Sequence, residues 1–87
     1  MPLINKKVTV KSKQGLHARP AALFVQLANK FESTVSVKKG KETVNGKSIM
    51  GILMLAAGHG SQITIEANGN DAEAAIAELE KLVDTDE

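Results

Sequence analysis

Hydrophobic positions along the chain follow two periods, and each change of period marks an element. Ile4, Val8 and Val10 share one side of an extended segment, with Lys6 a polar exception among them, while Lys7 and Thr9 face the other way. From about Pro20 to Lys30 the spacing becomes helical: Ala21, Phe24, Val25 and Ala28 form an i, i+3, i+4, i+7 stripe. Val35 and Val37 then alternate with Thr34, Ser36 and Lys38 as a second strand, Lys39-Gly40-Lys41 turns the chain, and a short strand follows around Thr43 and Val44. A brief helix from Ser48 to about Leu55 ends ahead of Gly58-His59-Gly60, whose glycines suit a left-handed exit. Ile63, Ile65 and Ala67 alternate with Gln62, Thr64 and Glu66 as a fourth strand. Asn70-Asp71-Ala72-Glu73 has the form of a capping box and opens a last helix through about Val83. Its apolar stripe is Ala72, Ala75, Ile76, Leu79, Leu82 and Val83.

The predicted order is βαββαβα. Strands with one apolar face predict antiparallel pairing, with helices packed on that face alone: an α+β open-faced β-sandwich. A chain of 87 residues without repeats or linkers predicts a single domain spanning 1–87, with Asp84–Glu87 frayed.

Composition narrows the class. Hydrophobic residues at 43% and charged residues at 24% are the proportions of a soluble globular protein. The lack of cysteine excludes disulfides and thiolate metal sites, and it accords with the cytoplasm. The first residues hold no apolar stretch of signal-peptide length, and the longest apolar run, Ile52 to Ala57, is too short for membrane insertion. Residues 1–47 carry ten basic side chains against two acidic ones, and residues 48–87 one against eight, so the net charge of +1 hides a strong asymmetry. A basic half suits an acidic partner or a phosphate-bearing ligand, unless folding interleaves the halves and their fields cancel. A sheet-type RNA module is disfavoured, because there is no Trp or Tyr, and Phe24 and Phe31 fall in or just after a helix. Nothing resembles a phosphate loop, a metal cluster or an acid–base pair, so neither an enzyme nor a cofactor is expected.

The most chemistry lies in Gly15-Leu16-His17-Ala18-Arg19-Pro20-Ala21-Ala22. Proline is favoured at a helix start, so His17 is expected at or just before the N-cap, beside backbone N–H groups that attract anions. Arg19 adds a planar fork suited to phosphate oxygens. A neutral imidazole is a competent nucleophile near pH 7. A histidine so placed could accept a phosphoryl group and release it again, whereas a lone histidine before a helix is more often an ordinary surface residue.

Two motifs bear on that choice. Gly15-Leu16-His17-Ala18-Arg19-Pro20-Ala21 resembles the active-site motif of the histidine-containing phosphocarrier (HPr) family of the bacterial phosphoenolpyruvate:sugar phosphotransferase system. Lys47-Ser48-Ile49-Met50-Gly51 is similar to that family's regulatory serine segment in its Gram-positive form, and the separation of the two motifs matches. The resemblance covers essentially the whole chain. It implies a four-stranded antiparallel sheet with three helices on one face. It also implies a carrier rather than an enzyme: His17 takes the phosphoryl group from enzyme I, Arg19 steadies it, and sugar-specific IIA components receive it. It further implies a kinase/phosphorylase acting on Ser48, and a catabolite-control repressor that docks the serine-phosphorylated form. Purely regulatory relatives lack the active histidine, which is present here. A regulatory or nitrogen-related paralogue signalling through Ser48 is the alternative.

On the residues alone, Ser48 is a good N-cap. Ile52 and Leu55 continue along the core side of its helix, leaving Ile49, Met50, Leu53 and Met54 on the other. So short a helix cannot bury both sides, so an exposed partner surface is expected there, together with Ala18, Ala22 and Leu23 on the preceding helix. The competing reading places Met50 and Leu53 in the core. Gly46 departs from the family, where a non-glycine residue is common, and His59 reads as a solvated loop residue without metal-ligand neighbours.

Overall fold

The computed structural model describes residues 3–84. Seven elements follow in order: β1 (Leu3–Thr9), α1 (Ala18–Ala28), β2 (Thr34–Lys39), β3 (Glu42–Asn45), α2 (Ile49–Leu55), β4 (Gln62–Asn68) and α3 (Ala72–Val83). The strands form one antiparallel sheet in the order β1-β4-β2-β3. The chain folds as the expected α+β open-faced sandwich.

Register explains which positions are apolar. Val8 lies opposite Ile63 across β1 and β4, and Ile65 on β4 lies opposite Val37 on β2, so one face carries a continuous apolar surface. There it meets Phe24 of α1, Ile52 and Leu55 of α2, and Ile76 and Leu79 of α3, all buried. The other face carries Asn5, Lys7, Thr64, Glu66, Ser36 and Lys38. Lys6, the polar exception, stands opposite Ile65 on the core side, but β1 is an edge strand. Its ammonium leaves the core to reach Glu80 of α3 at 3.1 Å, which is how long charged side chains occupy apolar positions.

Three local expectations need correction. Helix α1 begins two residues ahead of Pro20 and ends at Ala28, because Asn29 closes it: its backbone and side-chain N–H groups both donate to Val25 O, at 3.0 and 2.9 Å. The left-handed residue after α2 is Ala56 (φ 54, ψ 42), ahead of the glycines. This turns Ala57 inward, where it is buried. The capping box at α3 does not form. Asp71 is the N-cap, yet its carboxylate makes no cap hydrogen bond and instead accepts from Glu32 N–H and Ser33 N–H, each at 2.9 Å, and from the Ser33 hydroxyl. The carboxylate ties the α1–β2 connection to the start of α3, and these hydrogen bonds, that from the Ser33 hydroxyl foremost, hold it below the usual carboxylate range. Of the residues expected to fray, Asp84 caps α3 and pairs with Lys11 at 3.0 Å; residues 85–87 lie outside those described.

Candidate phosphoryl-acceptor site

The backbone that presents His17 is fixed from two sides. Between β1 and α1 the chain is laced to the segment after α2: Val10 N–H donates to Ser61 O, Gly60 N–H to Val10 O and Leu16 N–H to Ala57 O, each at 2.9 Å. Gly15 makes the close approach possible. Its φ is +73°, and a Cβ there would lie 2.5 Å from Ala57 O and 2.7 Å from the Gly58 Cα. No other residue satisfies both conditions without moving the backbone. The inward turn at Ala57 and the glycine at 15 together set where α1 begins.

His17 is the N-cap of α1, with extended backbone (φ −81, ψ −169), and its carbonyl accepts the first helical bond from Ala21 N–H at 2.9 Å. The half-buried imidazole makes no cap hydrogen bond, so the ring is not spent on holding the helix. Ala18 and Arg19 follow in the first turn, both exposed, and Pro20, third in the helix, has no N–H to satisfy. No acidic residue occupies this turn. An anion arriving beside His17 meets the positive end of the helix and a guanidinium two residues on.

His17, Arg19, Pro20 and Leu23 form one wall of a cleft of about 240 Å³ between α1, the end of β1 and the end of α3. The opposite side includes Leu82 and Val83. Pattern reading placed Leu82 on a buried stripe; it is half-buried because it borders this cleft. Ser12 and Gln14 also line it and carried no sequence signal, since they fall in an irregular turn without period or motif.

Ser48 is the N-cap of α2, and its hydroxyl oxygen accepts from Gly51 N–H at 3.1 Å while keeping its own hydrogen. The loop before it is fastened: Lys47 Nζ donates to Phe31 O at 2.7 Å, and Lys47 N–H to Asn45 Oδ1 at 2.9 Å. Gly46 sits against β2, where a Cβ would lie 2.5 Å from a Val35 methyl carbon. Ile52 and Leu55 are buried, as expected, whereas Met50 is 62% exposed and Met54 71%, which excludes them from the core. Ile49, Leu53 and Leu23 are exposed too, and Ala22 is half-buried. Helices α1 and α2 pack against each other, so the apolar residues they expose belong to neighbouring elements. Ser48 does not line the cleft at His17. His59 is exposed in its loop, and among the described residues no group of three or more His, Cys, Asp or Glu could hold a metal.

A four-stranded open-faced sandwich that offers a histidine at a helix N-terminus, with an arginine in the first turn, defines a phosphocarrier-type protein. The family model for the HPr component phosphorylation site of the phosphotransferase system matches residues 4–85. The HPr-like protein Crh of Halalkalibacterium halodurans is 53% identical over 83 residues, 91% of this chain and 99% of that protein. The phosphocarrier protein HPr of Treponema pallidum is 42% identical, covering 92% of this chain and 91% of its own. The crystal structure of a phosphocarrier protein HPr from Bacillus anthracis superposes with a TM-score of 0.91 at 52% identity, over 95% of this chain and 99% of that one. The chain belongs to the HPr family: it is a phosphocarrier and not an enzyme.

Proposed function

We propose that the protein accepts a phosphoryl group on His17 from enzyme I and passes it to IIA components of the sugar phosphotransferase system in the cytoplasm. One observation carries this reading: the imidazole stands at the α1 N-cap without a cap bond, on a backbone pinned by Gly15, with Arg19 in the following turn. In the transfer, an imidazole nitrogen lone pair attacks phosphorus. The new N–P bond forms as the donor's bond to phosphorus breaks, and the electron pair leaves with the donor. Arg19 and the backbone N–H groups at the helix start face the charge spread over the phosphoryl oxygens. The exposed surface of Leu23, Ile49, Met50 and Leu53, with Ala18 and Ala22, is the docking surface for enzyme I and the IIA components. Ser48 is the regulatory site, acted on by a serine kinase/phosphorylase, and a catabolite-control repressor receives the modified form.

Incubation with phosphoenolpyruvate and enzyme I, followed by mass spectrometry at neutral pH, should find label on His17. His17→Ala should keep its fold and take none. Label that persists in His17→Ala, or that maps to His59, would overturn the assignment.

A second reading has a specific observation behind it: the similarity to Crh proteins, 53% in Halalkalibacterium halodurans and 47% in Bacillus subtilis. In that role the chain signals through Ser48 and carries no sugar-directed flux. The same experiment separates the two, because a purely regulatory protein would leave His17 unlabelled by enzyme I while a serine kinase modified Ser48.

A further inference from the structure

The sequence holds no Cys, Trp or Tyr, so its readily oxidised side chains are its three methionines. One is Met1; the other two, Met50 and Met54, lie four residues apart in α2 and so stand side by side on one face of that helix. They are the two most exposed large hydrophobic side chains among the described residues. Neither belongs to the core. Helix α2 is anchored by Ile52 and Leu55, and its ends are closed by the Ser48 hydroxyl oxygen and the left-handed Ala56. An oxidant therefore reaches two thioethers on which the fold does not depend, both in the helix that Ser48 caps.

We propose that Met50 and Met54 form a paired oxidation site, and that their conversion to sulfoxides by a hydroperoxide shuts the α2 docking surface while leaving the fold intact. The proposal rests on the reading of that surface as the place where enzyme I docks. With hydrogen peroxide, the thioether sulfur attacks one oxygen, and the S–O bond forms as the O–O bond breaks. The second oxygen leaves as water after taking the proton from the first; sulfur loses two electrons and the peroxide gains them. A polar S–O group then stands where an apolar, adaptable side chain stood. A partner covering the helix must bury that oxygen, at a cost in free energy unless it supplies a hydrogen bond. Methionine sulfoxide reductases reverse the change, one enzyme for each epimer, so the device resets. Oxidation acts on α2 through polarity, as phosphorylation of Ser48 acts through charge.

The test treats the protein with dilute hydrogen peroxide, removes the oxidant, and follows His17 labelling at low enzyme I concentration. Peptide mass spectrometry should find one added oxygen on each of Met50 and Met54, with the thermal midpoint unchanged. Labelling should slow about tenfold, the effect of one poorly paired polar group in an interface, and recover after both sulfoxide reductases have acted. The double variant Met50→Leu, Met54→Leu, compared only with itself, should keep its own rate through the same treatment, which also separates the pair from Met1. A serine kinase must approach the same helix, so phosphorylation of Ser48, followed on the same samples, should slow as well. Four results would overturn the proposal: methionines left unoxidised, a collapsed midpoint, an undiminished labelling rate after complete oxidation, or an equal loss in the double variant. Untreated protein that takes no label from enzyme I would count against the carrier reading instead. The proposal would then stand if oxidation slowed Ser48 phosphorylation, and fall if it did not.

Discussion

His17 and Arg19 lie two positions apart at the start of α1, and the proposed transfer divides its work between them as nucleophile and charge. Arg19 is exposed, and exposed substitutions usually change folding by no more than about 0.5 kcal/mol. Arg19→Ala should therefore lower the rate of phosphoryl transfer from enzyme I about 10- to 100-fold, the worth of a charge-assisted hydrogen bond, while the thermal midpoint stays nearly constant. Gly15→Ala should behave in the opposite way. At φ +73° a Cβ costs about 1–2 kcal/mol before its contact with Ala57 O is counted, so the urea midpoint should fall markedly. Asp71 gives a third measurable effect. Its carboxyl is held below its ordinary value near 3.8, so its charged form stabilises the fold above that value, and the stability is lost as pH falls from there through the lower folded value. Thermal midpoints measured into acid should drop less steeply for Asp71→Asn than for wild type. The placement of His17 and Arg19 at a helix start was legible because their spacing before a proline is itself a helix-start pattern. Asp71 was visible only as a cap, because its partners Glu32 and Ser33 are remote in sequence and nothing local records the contact.

At the scale of elements, periodicity found all seven, because each has one side in a common core and the period of that side is what a sequence displays. The ends were read less well where side chains or tight packing override propensity, as at Asn29 and Ala56. Helix α2 shows both sides of the argument. With Ile52 and Leu55 inward, seven residues leave no second buried side, so the exposure of Met50 follows from length alone. Ser48 caps α2, and the proposed regulation gives it a second, separable role. Ser48→Ala removes an N-cap acceptor and should cost about 1 kcal/mol of stability without altering the charge at the proposed docking surface. Ser48→Asp keeps a capping oxygen and adds charge beside that surface, so it should preserve stability yet slow phosphorylation of His17 at low enzyme I concentration. A docking loss of about 1.4 kcal/mol is tenfold. Met50→Ala should slow the same step without adding charge; wild-type rates for both variants would remove α2 from the docking surface.

Over the whole molecule, the charge asymmetry of the sequence is folded away in part. Lys6 pairs with Glu80, Lys11 with Asp84 and Lys38 with Glu66, each joining a base from the first half to an acid from the second. These bridges are mostly solvent-exposed and contribute little to stability, but they show why counting charges along a chain overstates its field. The order β1-β4-β2-β3 has a different consequence, in time. Among the described residues, strand β4 is the only partner of β1 and the inner partner of β2, and it follows both in the chain. Until residues 62–68 have left the ribosome, the β2–β3 hairpin is the only strand pairing available, and an isolated hairpin is marginal in water. The growing polypeptide therefore cannot close its sheet, or the core beneath it, until β4 pairs with β1 and β2.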